Sequence, residues 1–238
     1  MSKLKNIIPN LLTTLNLLAG IAALSFLFYG NFGAALILVL FAALFDFLDG
    51  MFARILNARS EFGKQLDSLA DSVSFGLVPG FIVFLYLEVA LKINSLWPEQ
   101  ISYIGFLLTV FAIYRLARFN ISENKSGNFV GLAVPAMAIF ISSFVWYLLN
   151  FNNTFTEYLS QIPVIIIITI LFSVLMISKV SMFSLKFENL SFKGNEVKWV
   201  FLIISSVLLI IFRIFALPLV IIFYIVLSIV LNLLKKKI

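Results

Sequence analysis

The chain has 238 residues, of which 62% are hydrophobic and 12% charged, and its formal net charge is +6. This composition, with a mean hydropathy of +1.11, excludes an ordinary soluble domain and indicates a polytopic membrane protein. Cysteine and histidine are both absent, which excludes disulfides, thiolate nucleophiles, an imidazole base and the usual zinc sites.

Hydrophobic segments follow one another along the chain, each close to the ~20 residues that an α-helix needs to cross a bilayer. We expect an all-α integral membrane protein of about eight transmembrane helices, the last two forming a hairpin at Pro218. The predicted helix cores are 10–29, 33–56, 66–90, 101–120, 131–150, 161–179, 197–215 and 217–234.

The basic residues predict an orientation. With the N-terminus in the cytoplasm, every Lys and Arg except Lys92 and Arg213 falls on the cytoplasmic side. This bias is a positive-inside signal, and it requires an even number of spans. We therefore expect a multi-pass protein of the cell membrane, with both termini and the active site on the cytoplasmic side. The net charge reflects topology and attraction to anionic headgroups, and it is no argument for nucleic acid.

All four aspartates of the chain lie between Asp46 and Asp71. Asp46 and Asp49 are spaced i, i+3, and Asp67 and Asp71 are spaced i, i+4, so each pair points to one side of a helix. Gly63 and the polar run around it can turn the chain between the two helices. Four gathered carboxylates repel one another unless cations lie between them. Oxygen-only clusters of this kind suit Mg²⁺ or Mn²⁺.

Intramembrane carboxylates are also used by proton- and cation-coupled transporters, so a transporter is the alternative from another class. That class favours acidic residues spread over several spans and broken helices in matching halves. Outside the aspartate stretch the acidic residues are all glutamates, and most of them lie at span ends. The pattern therefore favours an enzyme.

The aspartate stretch has a fixed spacing, Asp46-x2-Asp49-Gly50-x2-Ala53-Arg54-x8-Gly63-x3-Asp67-x3-Asp71. It is similar at every fixed position to the signature of the CDP-alcohol phosphatidyltransferases. The resemblance covers roughly residues 7–180 and implies a six-helix core. We accordingly predict a catalytic core over 1–180 and a two-helix extension over 181–238.

In that family an alcohol attacks the phosphorus of a CDP-lipid and CMP leaves. The resemblance implies two divalent cations, Mg²⁺ or Mn²⁺ (Ca²⁺ could replace them in a crystal), held by the four aspartates, with Asp71 also acting as the general base. It places Gly50 and Ala53, which are small and one turn apart, against the nucleotide. Arg54 supplies a cation for phosphate, and Gly63 belongs to the same CDP-lipid site.

The flanking residues resemble the serine-using branch of this family. Pro9-Asn10-x2-Thr13-x2-Asn16-x3-Gly20 is similar to the N-terminal pattern of that branch, whereas glycerophosphate-using relatives usually have arginine at the position of Asn16. Ser72 follows the last aspartate, where the glycerophosphate enzymes tend to have lysine. The resemblance assigns to CDP-lipid binding the polar side chains of Asn10, Thr13 and Asn16.

A second stretch typical of the serine-using branch is Arg115-Leu116-Ala117-Arg118-Phe119-Asn120. Arg115 and Arg118 are i, i+3, so both can face one polar pocket and bind a carboxylate or a lipid phosphate. The alternative is that they extend to the interface as topology markers. We assign to this serine or lipid-phosphate pocket Ser72, Ser74, Arg115, Arg118 and Asn120.

The resemblance thus implies transfer of a phosphatidyl group from CDP-diacylglycerol to the hydroxyl of L-serine, giving phosphatidylserine and CMP. An alternative within the family is another alcohol, glycerol 3-phosphate or inositol phosphate. The expected partners are CDP-diacylglycerol, L-serine, membrane phospholipids and a second copy of the chain in a homodimer.

Overall fold

The computed structural model of this chain describes residues 5, 7–58, 60–93, 96–121, 129–183 and 195–235. Within these residues the structure is built from α-helices. Their bounds are α1 Ile7–Phe28, α2 Phe32–Ile55, α3 Glu61–Asp71, α4 Val78–Ile93, α5 Phe106–Ile121, α6 Val134–Asn150, α7 Thr154–Leu159, α8 Ile162–Ile177, α9 Glu196–Phe212 and α10 Leu217–Lys235.

Shorter segments connect some of these helices. A π-helix, Ser72–Leu77, joins α3 directly to α4, and 3₁₀ segments at Glu99–Gly105 and Arg213–Ala216 precede α5 and α10. Two short strands, β1 Phe129–Val130 and β2 Ser181–Met182, pair antiparallel with Phe129 opposite Met182. The chain therefore runs without a break from the third to the fourth helix, past Asp71.

The all-α membrane class predicted from the sequence is confirmed. Five helical segments are long and apolar enough to cross a membrane, and the last of them, Glu196–Leu234, contains both α9 and α10. Two shorter apolar helices, Val134–Asn150 and Ile162–Ile177, correspond to the fifth and sixth predicted spans. Each of the eight predicted segments thus has a helical counterpart, and the chain is a multi-pass membrane protein.

The polar run before Gly63 turns the chain between the two aspartate-bearing helices, as predicted, but Gly63 itself lies within α3 and not in the turn. The chain reverses after α2, where Asn57 has a φ of 49°, a conformation that asparagine tolerates better than most residues. Ser60 then caps α3, accepting a 3.0 Å hydrogen bond at Oγ from the backbone N–H of Gly63. Gly63 lies in the first turn of α3, where a Cβ would lie 3.1 Å from Asn10 Oδ1. Its small size therefore allows α1 to approach.

The fifth span begins three residues later than predicted, because the preceding residues pair with another segment. Gly131 has a φ of 77°, and its N–H donates a 2.8 Å hydrogen bond to the carbonyl of Val180. Residue Ala133 is extended, and Pro135 lies at the start of α6, where a missing N–H costs nothing. The short helix α7 was not predicted from the sequence.

Small side chains bring α1 and α2 close together. Ala19 and Ala23 of α1, and Ala35 and Ala42 of α2, are all buried, and small residues at a membrane-helix interface let two backbones approach. Large apolar side chains, including Phe47 at 61% exposure, cover the outer surface, as a lipid-facing surface requires. The close packing of α1 on α2 carries polar residues of α1 to the aspartates.

Some sequence predictions fall on residues outside the described ranges. These include parts of the connections between predicted helix cores, at 94–95, 124–128 and 189–194. They also include several of the basic residues that define the charge asymmetry, Lys3, Arg59, Lys125, Lys186, Lys193, Lys236 and Lys237. The cytoplasmic placement of the active site accordingly stays a prediction.

Candidate active site

Three of the four aspartates form one cluster. Asp46 and Asp49 extend from the C-terminal part of α2, and Asp67 extends from α3. One carboxylate oxygen from each lies within 4.8 Å of those of the other two. Asp49 is buried, at 5% exposure, and the other two are half-buried. Carboxylates this close repel one another strongly when water is largely excluded, so the cluster favours a bound cation.

The donor atoms of the cluster fit a divalent metal ion. Asp67 Oδ1 is buried and has no hydrogen-bond partner among the described residues. A buried carboxylate oxygen without a donor is costly, and coordination to a hard cation would remove that cost. Oxygen-only ligands of this type suit Mg²⁺ or Mn²⁺.

Asp71 lies outside this group of three, one turn after Asp67 on the same helix, and it interacts electrostatically with all three carboxylates. Its carboxylate is 7% exposed, and its Oδ1 accepts a 3.0 Å hydrogen bond from the side-chain amide of Asn16. Asn16 is completely buried. The fourth aspartate is thus oriented by a neutral donor from α1.

The cluster itself also receives a donor from α1. Thr13 Oγ1 donates a 2.6 Å hydrogen bond to Asp49 Oδ2, and Thr13 is 3% exposed. Thr13 and Asn16 are one turn apart, so one face of α1 contacts both carboxylates. The sequence assigned these two residues to CDP-lipid binding, whereas the structure places their side chains on aspartates; their contact with a lipid stays a prediction.

The helix widens immediately after Asp71. The π-helix Ser72–Leu77 is tied to α1 by Ser74, whose hydroxyl donates a 2.9 Å hydrogen bond to the carbonyl of Asn16. It is tied to α5 by Thr109, whose hydroxyl donates a 3.0 Å hydrogen bond to the carbonyl of Gly76. Single π-helical turns inside α-helices occur frequently at functional sites. Here the turn fixes the backbone that follows Asp71.

Gly20 sets the distance between α1 and this π-helix. A Cβ at Gly20 would lie 2.8 Å from the Cα of Ser74, which is too close for two carbon atoms. Glycine at this position therefore lets Ser74 reach the carbonyl of Asn16. This contact explains why glycine occupies the last position of the N-terminal pattern Pro9-Asn10-x2-Thr13-x2-Asn16-x3-Gly20.

A cavity of about 470 Å³ opens beside the cluster. This volume lies in the range of pockets that hold small molecules. A Cβ at Gly50 would meet only Arg54 Nη2, at 4.0 Å, so this part of the wall is bare. The predicted site residues that line the cavity are Asn10, Thr13, Asp49, Gly50, Ala53, Gly63 and Asp67.

Three further polar residues of the cavity wall were not predicted from the sequence. Ser60, Glu61 and Lys64 also line the cavity. All three belong to the polar run between the two aspartate pairs, which was interpreted only as a turn, although its polar character could have indicated a binding site. Arg54, by contrast, is exposed, and its Nε donates a 2.8 Å hydrogen bond to the carbonyl of Gly50.

Arg115 and Arg118 line a second, smaller cavity of about 120 Å³, here called the arginine pocket, together with Val130, Met176 and Ser178 among other residues. Arg118 is exposed, whereas Arg115 is half-buried. Within the described part of the chain, Arg115 Nε is buried without a hydrogen-bond partner. Arg115 of the arginine pocket also interacts electrostatically with Asp71, the residue that α1 orients.

The other residues assigned to this pocket make contacts elsewhere. Asn120 Nδ2 donates a 2.8 Å hydrogen bond to Ser68 Oγ, and the carbonyl of Asn120 accepts one of 2.7 Å from Lys64 Nζ. The hydroxyl of Ser72 donates to the carbonyl of Leu69 at 2.7 Å. Asn120 therefore joins α5 to α3, and a direct role for it or for Ser72 in binding stays a prediction.

Comparison with known proteins agrees with this site. The family model described as CDP-alcohol phosphatidyltransferase matches residues 6–175. The archaetidylserine synthase of Methanothermobacter thermautotrophicus is 37% identical over 176 residues, which are 73% of this chain and 68% of that protein.

Two bacterial relatives are each named CDP-diacylglycerol–serine O-phosphatidyltransferase. The Bacillus subtilis protein is 35% identical over 147 residues, which are 59% of this chain and 77% of that protein. The Helicobacter pylori protein is 30% identical over 218 residues, which are 89% of this chain and 82% of that protein.

Because the family model spans most of the chain and includes the aspartate cluster, this protein belongs to the CDP-alcohol phosphatidyltransferase family. The resemblance inferred from the signature is thereby confirmed. The chain is an enzyme of this class, and the transporter alternative loses its support.

Proposed function

We propose that this protein transfers a phosphatidyl group from CDP-diacylglycerol to the hydroxyl of L-serine, giving phosphatidylserine and CMP. The observation that carries the proposal is that the archaeal and both bacterial relatives are named for serine transfer, one of them aligning over 89% of this chain. Their names differ in the lipid and agree in the acceptor. Serine is therefore better supported than glycerol 3-phosphate or inositol phosphate.

The aspartates hold the metal ions in this proposal. Asp46, Asp49 and Asp67, with Asp71 beside them, bind two divalent cations, Mg²⁺ or Mn²⁺. Such cations would stabilise negative charge on the phosphate oxygens during the transfer. The close approach of the three carboxylates and the unpartnered Asp67 Oδ1 support this assignment.

Asp71 is the general base. The serine hydroxyl oxygen forms a bond to the phosphorus of the phosphatidyl group, and the bond between that phosphorus and CMP breaks. The hydroxyl proton passes to the carboxylate oxygen of Asp71 that Asn16 does not hold, and CMP leaves with the electron pair. The Asn16 amide, 3.0 Å from Asp71 Oδ1, orients the carboxylate for this step.

In this proposal each of the two cavities binds a different part of the substrates. The larger cavity receives the CDP group along Gly50 and Ala53, where the wall carries little side-chain bulk. The arginine pocket receives an anionic group, either the serine carboxylate or the lipid phosphate. Arg115, whose Nε has no partner in the described structure, can bind such an anion directly.

Several further expectations belong to the same proposal. The site faces the cytoplasm, the protein works as a homodimer among membrane phospholipids, and residues 1–180 form the catalytic core with 181–238 as an extension. The charge asymmetry of the sequence supports the orientation.

The experiment that tests the proposed function measures CMP release. Purified protein in detergent receives CDP-diacylglycerol, Mn²⁺ or Mg²⁺, and one alcohol at a time from a panel of L-serine, glycerol 3-phosphate, inositol phosphate and ethanolamine. We expect CMP release with L-serine and little release with the others. Preferential release with another alcohol would contradict serine as the acceptor.

A further inference from the structure

Two short stretches of the chain, which pair with each other through β1 and β2, form part of the wall of the arginine pocket. Residues 129–134 and 178–183 carry β1 and β2 and are here called the strap. Val130 and Ser178 of the strap line the arginine pocket. The N–H of Leu132 donates a 3.1 Å hydrogen bond to the carbonyl of Leu175 at the end of α8. The strap is thus held to α8 at this point.

The end of the strap, at Phe183, contacts α9 and α10. These two helices lie beyond the residues matched by the family model. The hydroxyl of Tyr224 on α10 donates a 3.1 Å hydrogen bond to the carbonyl of Phe183, and the ring centroids of these two residues are 5.0 Å apart. The ring centroid of Phe201 on α9 lies 5.5 Å from that of Phe183. Both C-terminal helices therefore contact the end of the strap.

A second polar contact follows two turns along α10. Asn232 Nδ2 donates a 3.4 Å hydrogen bond to the carbonyl of Ser181 in β2. Tyr224 and Asn232 lie on one face of the helix because their spacing is close to two turns. This face of α10 thus binds the backbone of the strap at two points.

Tyr224 also interacts with Arg115 of the arginine pocket. Its hydroxyl is close enough to the Arg115 guanidinium to interact with it electrostatically. Because the hydroxyl gives its hydrogen to Phe183, the lone pairs of its oxygen remain available to a guanidinium N–H. Arg115 therefore interacts electrostatically with both Asp71 and Tyr224.

We infer that Tyr224 is a positioning residue, which holds the strap in place so that the C-terminal helix pair completes the wall of the anion-binding arginine pocket. The anion is a carboxylate or a phosphate, and its assignment to serine or to the lipid donor rests on the proposed function. A long arginine side chain loses considerable rotational freedom when it binds an anion. A pocket wall that is already fixed around the arginine reduces that loss and increases affinity.

The first test is the Tyr224→Phe variant, which keeps the ring and removes the hydroxyl. We expect the KM of the substrate whose anion enters the pocket to rise about fivefold or more, the change expected from one lost hydrogen bond. A rise confined to serine identifies the carboxylate as the anion, and a rise confined to CDP-diacylglycerol identifies the lipid phosphate. Unchanged KM values for both substrates would overturn the inference.

The matched control is Tyr158→Phe, because Tyr158 is 69% exposed and lies on α7. It should leave both KM values as in the unsubstituted protein. Asn232→Leu provides a second variant, which removes the other contact of α10 with the strap. It should raise the same KM as Tyr224→Phe. An effect of Tyr158→Phe equal to that of Tyr224→Phe would also overturn the inference.

A binding measurement separates this inference from the proposed function. Inorganic phosphate is titrated into the purified protein, and the rise in Tm is recorded for the unsubstituted chain and for Tyr224→Phe. We expect phosphate to raise Tm in the former and to raise it less in the latter. Failure of serine to support CMP release would contradict the proposed function alone. An equal phosphate effect in both proteins, or none in either, would overturn the role of Tyr224.

Discussion

The side-chain amide of Asn16 donates a 3.0 Å hydrogen bond to Asp71 Oδ1 across the interface between α1 and α3. The carbonyl of the same asparagine accepts the hydroxyl of Ser74 from the π-helix. One residue of α1 therefore orients the carboxylate and also holds the backbone that follows it. In the mechanism proposed here, α1 sets the geometry of proton transfer.

Replacing Asn16 with leucine removes the donor while keeping the branching and the number of heavy atoms of the side chain. We expect kcat to fall about tenfold or more, since Asp71 loses the group that orients it. The three-aspartate cluster should still bind Mn²⁺, which electron paramagnetic resonance can measure. Asn150→Leu is the control, because Asn150 is exposed and donates to the backbone of its own helix. An unchanged kcat in Asn16→Leu would contradict the positioning role.

Thr13 and Thr14 form a natural matched pair for testing support of the metal ligands. The hydroxyl of Thr13 donates to Asp49 Oδ2 at 2.6 Å, whereas that of Thr14 donates to the carbonyl of Asn10 in its own helix. We expect Thr13→Val to weaken Mn²⁺ affinity about tenfold, the lower end for loss of such a contact. Thr14→Val should leave the affinity unchanged. Equal Mn²⁺ affinities in the two variants would contradict the assignment.

Gly50 tests the use of the larger cavity. Only Arg54 Nη2, at 4.0 Å, approaches the position of an added Cβ, so Gly50→Leu should fold with a Tm close to that of the unsubstituted protein. The added side chain would fill space that the CDP group needs. We expect CDP-diacylglycerol binding to fall at least about tenfold, as measured by equilibrium titration. Normal binding in this variant would place the nucleotide elsewhere.

Removal of the metal ions tests the aspartate cluster as a whole. We expect EDTA to abolish CMP release, and Mn²⁺ or Mg²⁺ to restore it, with Zn²⁺ a poor substitute for an all-oxygen site. Asp67→Asn should lose Mn²⁺ binding and activity together, because the amide keeps the shape and removes the charge. Glu157→Gln, an exposed acidic residue of α7, is the control. Full turnover in chelator would contradict a metal-dependent reaction.

Much of the fold could be predicted from the sequence because each apolar segment matches the bilayer in length. All eight predicted spans have helical counterparts. The polar run around Gly63 predicted the turn, but not its exact position, because the positive φ of Asn57 and the Ser60 cap, rather than the glycine, separate the two helices. The π-helix after Asp71 has no periodic signal, because it depends on contacts with α1 and α5.

The candidate site was predictable only where its residues are close in the sequence. The spacing of Asp46, Asp49 and Asp67 indicated a shared pocket, and the three carboxylates do meet. The pairing of Asn16 with Asp71 joins residues on different helices, and only the packing of the helices brings them together. For the same reason the contact of Tyr224 with Phe183 could not be inferred before the fold was known.

The central claim is that Asp71 accepts the proton of the alcohol while its neighbours hold the metal ions. In Asp71→Asn the oxygen of the amide can still accept the hydrogen bond of Asn16, so the local packing is retained. We predict that this variant binds CDP-diacylglycerol in Mn²⁺ with near-normal affinity and loses at least ~100-fold in kcat, the lower range for removal of a general base. The decisive measurement pairs this binding titration with the rate of CMP release. Loss of binding together with turnover would make Asp71 chiefly a metal ligand, and undiminished turnover would contradict the mechanism outright.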